Sequence, residues 1–112
     1  QFTLINGTYT IEWRAPAMRC GRHMAKLVET QTPTDVGFGQ SMMTNTGDSH
    51  SSSPSHGLAV VTVSSGSNNL FEIQHRCSDT RATYGLGHNA GEASGFTVTE
   101  VQTQVIILKH RN

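Results

Sequence analysis

The chain has 112 residues, 35% of them apolar and only 14% charged, and its eight basic and eight acidic residues leave a net charge of zero. That length suits one domain with a thin core. The charge balance leaves no basic stripe for nucleic acid and no acidic tail, and no apolar run approaches the roughly 20 residues of a membrane-spanning helix. Six histidines are the one excess among titratable groups, and they read as scattered surface residues that would turn the net charge positive towards pH 5. Ser, Thr, Gly and Asn make up the balance, as in a β-protein of short strands that completes its core by oligomerising.

Gly7–Pro16 ("GTYTIEWRAP") alternates with period two: Tyr9, Ile11, Trp13 and Ala15 face one way, and Thr8, Thr10, Glu12 and Arg14 the other. Aromatic and β-branched residues in that register predict a strand, which Pro16 should stop. A loop follows through Cys20 and Arg22. His23–Thr30 is short enough to be helical by propensity, but Gly21 before it and the Thr/Pro cluster after it predict a strand with Ala25 and Leu27 inward and Lys26 outward. Gly37–Met43 reads as a weaker strand. Thr44–Gly57, rich in Ser, Gly and His, reads as a long exposed loop. Leu58–Ser65 is apolar on both faces and reads as a central, covered strand. Gly66–Asn69 has turn chemistry and should join it in a hairpin to Leu70–Cys77. In that last stretch Phe71, Ile73, His75 and Cys77 share one face and Glu72, Gln74 and Arg76 the other. Ser78–Gly95 is a second glycine-rich loop, and Phe96–Lys109 reads as a long strand whose apolar end is buried on both sides. The pattern predicts an all-β fold: an antiparallel β-sandwich, a jelly roll, in a single domain spanning 1–112. The opening without Met reads as a fragment of a longer protein, or as numbering that begins at the ordered part. The start at Gln1, with no basic-then-apolar leader, reads as mid-domain.

Four constellations invite chemistry. Cys20-x-x-His23 and His75-x-Cys77 together hold the ligand types of a tetrahedral zinc site, with His75 and Cys77 about 7 Å apart along one strand face. Neither half has the spacing of a zinc module, so the expectation is a satisfied histidine beside a buried thiol, no metal and no cofactor. Two cysteines set no disulfide framework, and free structural thiols are the favoured reading. Many Ser, six His and eight acids guarantee chance triads, but "SSGS" at Ser64–Ser67 is no nucleophile elbow. Glu12, Glu72 and Glu100 read as outward strand residues rather than a glycosidase pair. "GLGHNAG" (Gly85–Gly91) lacks the Lys-Ser/Thr of a phosphate loop. No catalytic residue is assigned, and the chain reads as a non-enzyme. The side chains suited to a ligand or receptor contact are Arg81, Tyr84, His88 and Asn89 in the second long loop, where an aromatic can stack on a sugar and amides can bond its hydroxyls.

"GTYTIEWRAPA", "GRHMAKL", "LFEIQHRCSDTRATYGLG" and "EVQTQVIILK" occur in that order, and the set resembles a domain of bacteriophage structural proteins found at the ends of tail fibres. "FEIQHRC" followed by T-x-A-T-x-G-x-G is its most specific part, and the resemblance spans Gly7 to Lys109. It implies a trimeric jelly roll similar to the complement and tumour-necrosis-factor-like superfamily, the C-terminal domain of a longer protein exposed on the virion, with no catalytic residues to carry over. The implied partners are further copies of the chain, other virion proteins, and a host-surface glycan or protein, with no nucleic acid and no membrane. Glu72, Gln74 and Arg76 are then the candidate trimer-interface residues. The family domain opens with at least one further strand, whereas little precedes Gly7. The lead expectation is a trimeric tail-fibre tip or receptor-binding domain. A capsid decoration or head-fibre protein and a monomeric lectin-like module are the alternatives.

Overall fold

The computed structural model describes residues 1–18, 20–44, 52–64, 69–78 and 103–110. Among them run eight strands: β1 (Phe2–Leu4), β2 (Gly7–Met18), β3 (Arg22–Glu29), β4 (Thr34–Phe38), β5 (Met42–Met43), β6 (Ser52–Val63), β7 (Asn69–Cys77) and β8 (Gln104–Lys109). No helix occurs among the described residues. Every pairing is antiparallel. One sheet has the order β1-β7-β3-β4, with β5 also paired to β3; the other has the order β6-β2-β8. The chain is therefore all-β, with two antiparallel sheets sharing one core.

The period-two pattern of β2 does what its sequence dictates. Tyr9, Ile11, Trp13 and Ala15 are all buried, while Glu12 and Arg14 are exposed. Their core partners are Ala59, Val61 and Val63 of β6, Ala25 and Leu27 of β3, and Phe71 of β7. Burying Phe71, Ile11 or Leu27 contributes roughly 1.5–3 kcal/mol each. Short β1 lies before Gly7 and pairs β7, with Phe2 stacked on Phe71 at 5.8 Å between ring centroids. A three-residue strand thus precedes Gly7.

Pro16 does not end β2, which continues to Met18. The register explains why. His110 N donates to Thr8 O at 2.7 Å, so even-numbered residues of β2 turn their backbone polar groups towards β8 and odd-numbered ones towards β6. Pro16 is even, and it lies past the Arg14–Gln104 pair that begins the β8 ladder. Its cross-strand partner in β6 is Pro54, whose missing N–H faces away from β2. Neither proline interrupts a β2–β6 hydrogen bond.

Five other sequence expectations fail for reasons of tertiary context. Residues 52–57, expected in an exposed loop, are strand, and Ser55 is fully buried. Its Oγ donates to Gln40 O and accepts from Ala25 N, so it joins the two sheets. Gly39 sits in this corner, where a Cβ would press on Ser55 Oγ and Ala25 O. The Gly37–Met43 strand is accordingly broken into β4 and β5. The Leu58–Cys77 hairpin does not form, because β6 and β7 belong to different sheets. Strand β6 is an edge rather than a covered centre, with Leu58 and Val60 60% and 65% exposed. Strand β8 is exposed along its whole length; it pairs β2 at the rim of its sheet rather than lying between layers. Of the expected long strand from Phe96, only Gln104–Lys109 falls within the described residues.

Candidate functional site

The two halves of the Cys/His constellation meet at one end of the sandwich. Ser78 N donates to Arg22 O at 2.8 Å, which makes the next pair, His23 and Cys77, a non-hydrogen-bonded pair whose side chains approach closely. His75, one step along the same face, places Nε2 2.9 Å from His23 Nδ1. His23 Nε2 lies 2.9 Å from Ser53 Oγ on the opposite sheet, and that hydroxyl donates to Met43 O at 3.3 Å. One tautomer assignment satisfies the chain: His23 carries its proton on Nε2 and donates to Ser53, and His75 carries its own on Nε2 and donates to His23. His75 Nδ1 is then a bare lone pair, and it is buried without a hydrogen-bond partner. Cys77, the cross-strand partner of His23, and Cys20 are both free of a disulfide. Cys20 N is held by Thr44 Oγ1 at 3.0 Å.

The electrostatics make these groups quiet. Burial, and then the neighbouring His23, push His75 down to about 4; burial also lowers His23. Both imidazoles stay neutral at physiological pH. Burial, and then the neighbouring Cys20, push the Cys77 thiol up to about 12, so it is protonated, a poor nucleophile and a reluctant ligand. Ser53–His23–His75 has the outline of a triad, but its third member is a second imidazole that cannot stabilise an imidazolium as a carboxylate does. Among the described residues no set of three or more His, Cys, Asp and Glu side chains is arranged to hold a metal ion. What the chain does is tie β7 and β3 to β6 across the two sheets.

Glu72, Gln74 and Arg76 lie on the outer face of the larger sheet, where Gln74 and Arg76 are exposed and Glu72 is half-buried. Glu72 accepts from Gln74 Nε2 at 2.6 Å and from Gln1 Nε2 at 3.0 Å, bonds that lower its pKa, Gln74 more than Gln1. Its carboxylate is thus already engaged within its own chain. Across the strand pair stand Val28, Lys26 and Met24, and Lys26 pairs with Asp35 at 2.8 Å. Glu12 and Glu72 project from opposite outer faces and form no catalytic pair. Arg81, Tyr84, His88 and Asn89, with Glu100 and Gly85–Gly91, lie outside the described residues.

The outer face of the smaller sheet is a surface that sequence reasoning missed. Across its three strands, Val60, Thr10 and Leu108 form one row and Leu58, Glu12 and Ile106 the next. Leu58, Val60, Ile106 and Leu108 are 55–65% exposed. They make two apolar stripes, one on β6 and one on β8, separated by the polar stripe of β2. "LAVV" and "VIIL" carried the signal, since apolar residues on both faces of a strand mean either double burial or an exposed apolar face.

Comparison with protein-family models, curated proteins and solved structures returned no match to this chain. The likeness to phage structural domains therefore rests on the sequence motifs alone.

Proposed function

We propose that the chain is a non-enzymatic structural module of a virion, a jelly-roll subunit that assembles as a homotrimer and presents a surface to the host, as at a tail-fibre tip. The virion setting comes from the ordered sequence motifs. The observation that carries the assembly is the pair of apolar stripes on the β6-β2-β8 face. A twofold dimer buries one patch against itself, whereas a closed ring needs two different surfaces on each subunit. Here the β6 stripe and the β8 stripe lie on opposite margins of one sheet, about 10 Å apart, with Thr8, Thr10, Glu12 and Arg14 between them. Packing the β6 stripe of one copy on the β8 stripe of the next covers Leu58, Val60, Ile106 and Leu108 and leaves Glu12 in water. Covering the exposed half of each such side chain contributes roughly 1 kcal/mol.

This reading moves the interface from the Glu72-Gln74-Arg76 ladder to the opposite sheet. Light scattering after size exclusion tests it: the mass should be about three times 12.1 kDa. Leu58→Lys and Ile106→Lys should each yield monomers, and Arg76→Glu should leave trimers intact. A monomer at micromolar concentration would sink the trimer and favour a lectin-like module acting alone. A capsid decoration protein would assemble identically, and labelling the chain on intact particles would separate tail tip from capsid.

A further inference from the structure

The outer face of the larger sheet bears an open cleft of about 950 Å³ where β3, β5 and β7 converge. Among the described residues, Arg22, Lys26 and Arg76 line it, and no carboxylate does. In a chain with zero net charge, that concentrates three cations in one place. Lys26 is neutralised by Asp35, and the nearest strand carboxylate, Glu72, is occupied by Gln74 and Gln1. Among the described residues the only ion pair is Lys26–Asp35, so the exposed guanidiniums of Arg22 and Arg76 have no acidic partner there. The register sets them together: Met24 stands opposite Arg76, and Arg22 is the next outward residue on β3, a diagonal relation of roughly 7–8 Å across an antiparallel pair. Two arginine side chains rooted at that spacing are long enough for their guanidiniums to converge on a single oxyanion.

The rest of the lining narrows the ligand. Met24, Phe38 and Met42 give the cleft apolar walls, and Gln74 and Ser78 supply an amide and a hydroxyl. A shallow basin with cations, C–H-covering walls and neutral hydrogen-bonding groups suits a ring that is polar at its edge and apolar on its face. We infer that this cleft binds an acidic saccharide, its carboxylate or sulfate ester held between Arg22 and Arg76 and a sugar face laid against Met24 and Phe38. Two arginines on a neutral protein are too few for a nucleic-acid track, whose affinity comes from many phosphate contacts. The inference draws on the proposed host-facing role only for the reason a sugar would be met, and the binding itself is a property of one chain.

Calorimetric titration of the full chain tests it with four probes: a heparin-derived sulfated hexasaccharide, a short galacturonate oligomer, maltohexaose and sodium sulfate. The acidic saccharides should bind, with affinity falling as salt rises, and maltohexaose should not. Arg22→Ala and Arg76→Glu should each weaken binding about tenfold or more, while Arg14→Ala on the other sheet should leave it unchanged. Binding of maltohexaose equal to that of the acidic sugars, binding untouched by Arg76→Glu and Arg22→Ala, or no binding at all would each overturn the inference. Sulfate competing as well as the hexasaccharide would overturn the saccharide and leave a bare anion site. Light scattering on the same samples keeps the two readings apart: a monomer that binds the sugar sinks only the trimer, and a trimer that binds none of the four sinks only the cleft.

Discussion

His75 Nε2 bonds His23, while its Nδ1 lies buried without a partner. Both imidazoles are held neutral by burial, with His75 lowered to about 4. The unfolded chain titrates near 6.5 and so binds more protons than the native state between about pH 4 and 6.5. The stability these residues contribute is complete above pH 6.5 and is lost as pH falls through that window. Urea unfolding at pH 7.5 and pH 5 should therefore show a loss on the order of 1–2 kcal/mol, after allowance for solvent screening of half-buried groups. His75→Leu should reduce that loss. Equal stability at the two pH values would mean that the pair is solvated rather than buried. The sequence put His75 and Cys77 on one strand face, but it could not say that His23 would stand opposite Cys77, because strand pairing is a long-range choice that depends on register.

Strand β3 passes into its turn through Glu29, whose carboxylate accepts from Gln31 N, Thr32 N and Thr32 Oγ1. The Thr32 hydroxyl is the main cause of its lowered pKa. Glu29→Ala should lower the melting temperature, and the wild-type advantage should fade as pH drops below the ordinary carboxylate range, where the native charge is lost. In β6 the limiting residue is Gly57. Trp13 of β2 lies so close over it that an added Cβ would strike the indole ring, and Gly57→Ala should cost about 1–3 kcal/mol by overpacking. Leu27→Ala in β3 should cost about 2–5 kcal/mol, because Leu27 is fully buried. Chemical denaturation of the two variants checks both, and a Gly57→Ala variant as stable as wild type would mean that the indole can shift. The alternation in β2, β3 and β7 was legible in the sequence because inward and outward residues differ in kind. The extents of β2 and β6 were not, because whether a proline breaks a strand depends on which way its missing N–H would have pointed.

At the scale of the whole molecule, the sandwich has two outer faces of different character. One carries apolar stripes on β6 and β8, and the other carries arginines over an open cleft. Assembly through apolar stripes should survive 1 M NaCl, where salt screens ion pairs and leaves apolar burial undiminished. Assembly through Glu72, Gln74 and Arg76 should weaken there. Sedimentation at low and high salt tells these apart, and dissociation at high salt would return the interface to the ladder. Saccharide binding at the cleft should have the opposite salt response, so one titration series probes both faces.

The class of fold was legible in the order of residues alone. Period-two alternation, turn residues between runs and the absence of helical periodicity are local properties, and the chain is all-β with antiparallel sheets accordingly. The same alternation showed which residues of β2, β3 and β7 point inward. Which strands share a sheet, and with that the meaning of the apolar runs in β6 and β8, depends on long-range pairing that no local pattern encodes. A strand that is apolar on both faces is buried in the centre of a sandwich and exposed at its rim, and sequence alone does not say which. Pairing placed these two strands at opposite rims, turning what read as core into surface. The same pairing set Arg22 and Arg76 on one face and closed the gap between His23 and His75, residues 52 apart in sequence and 2.9 Å apart in space.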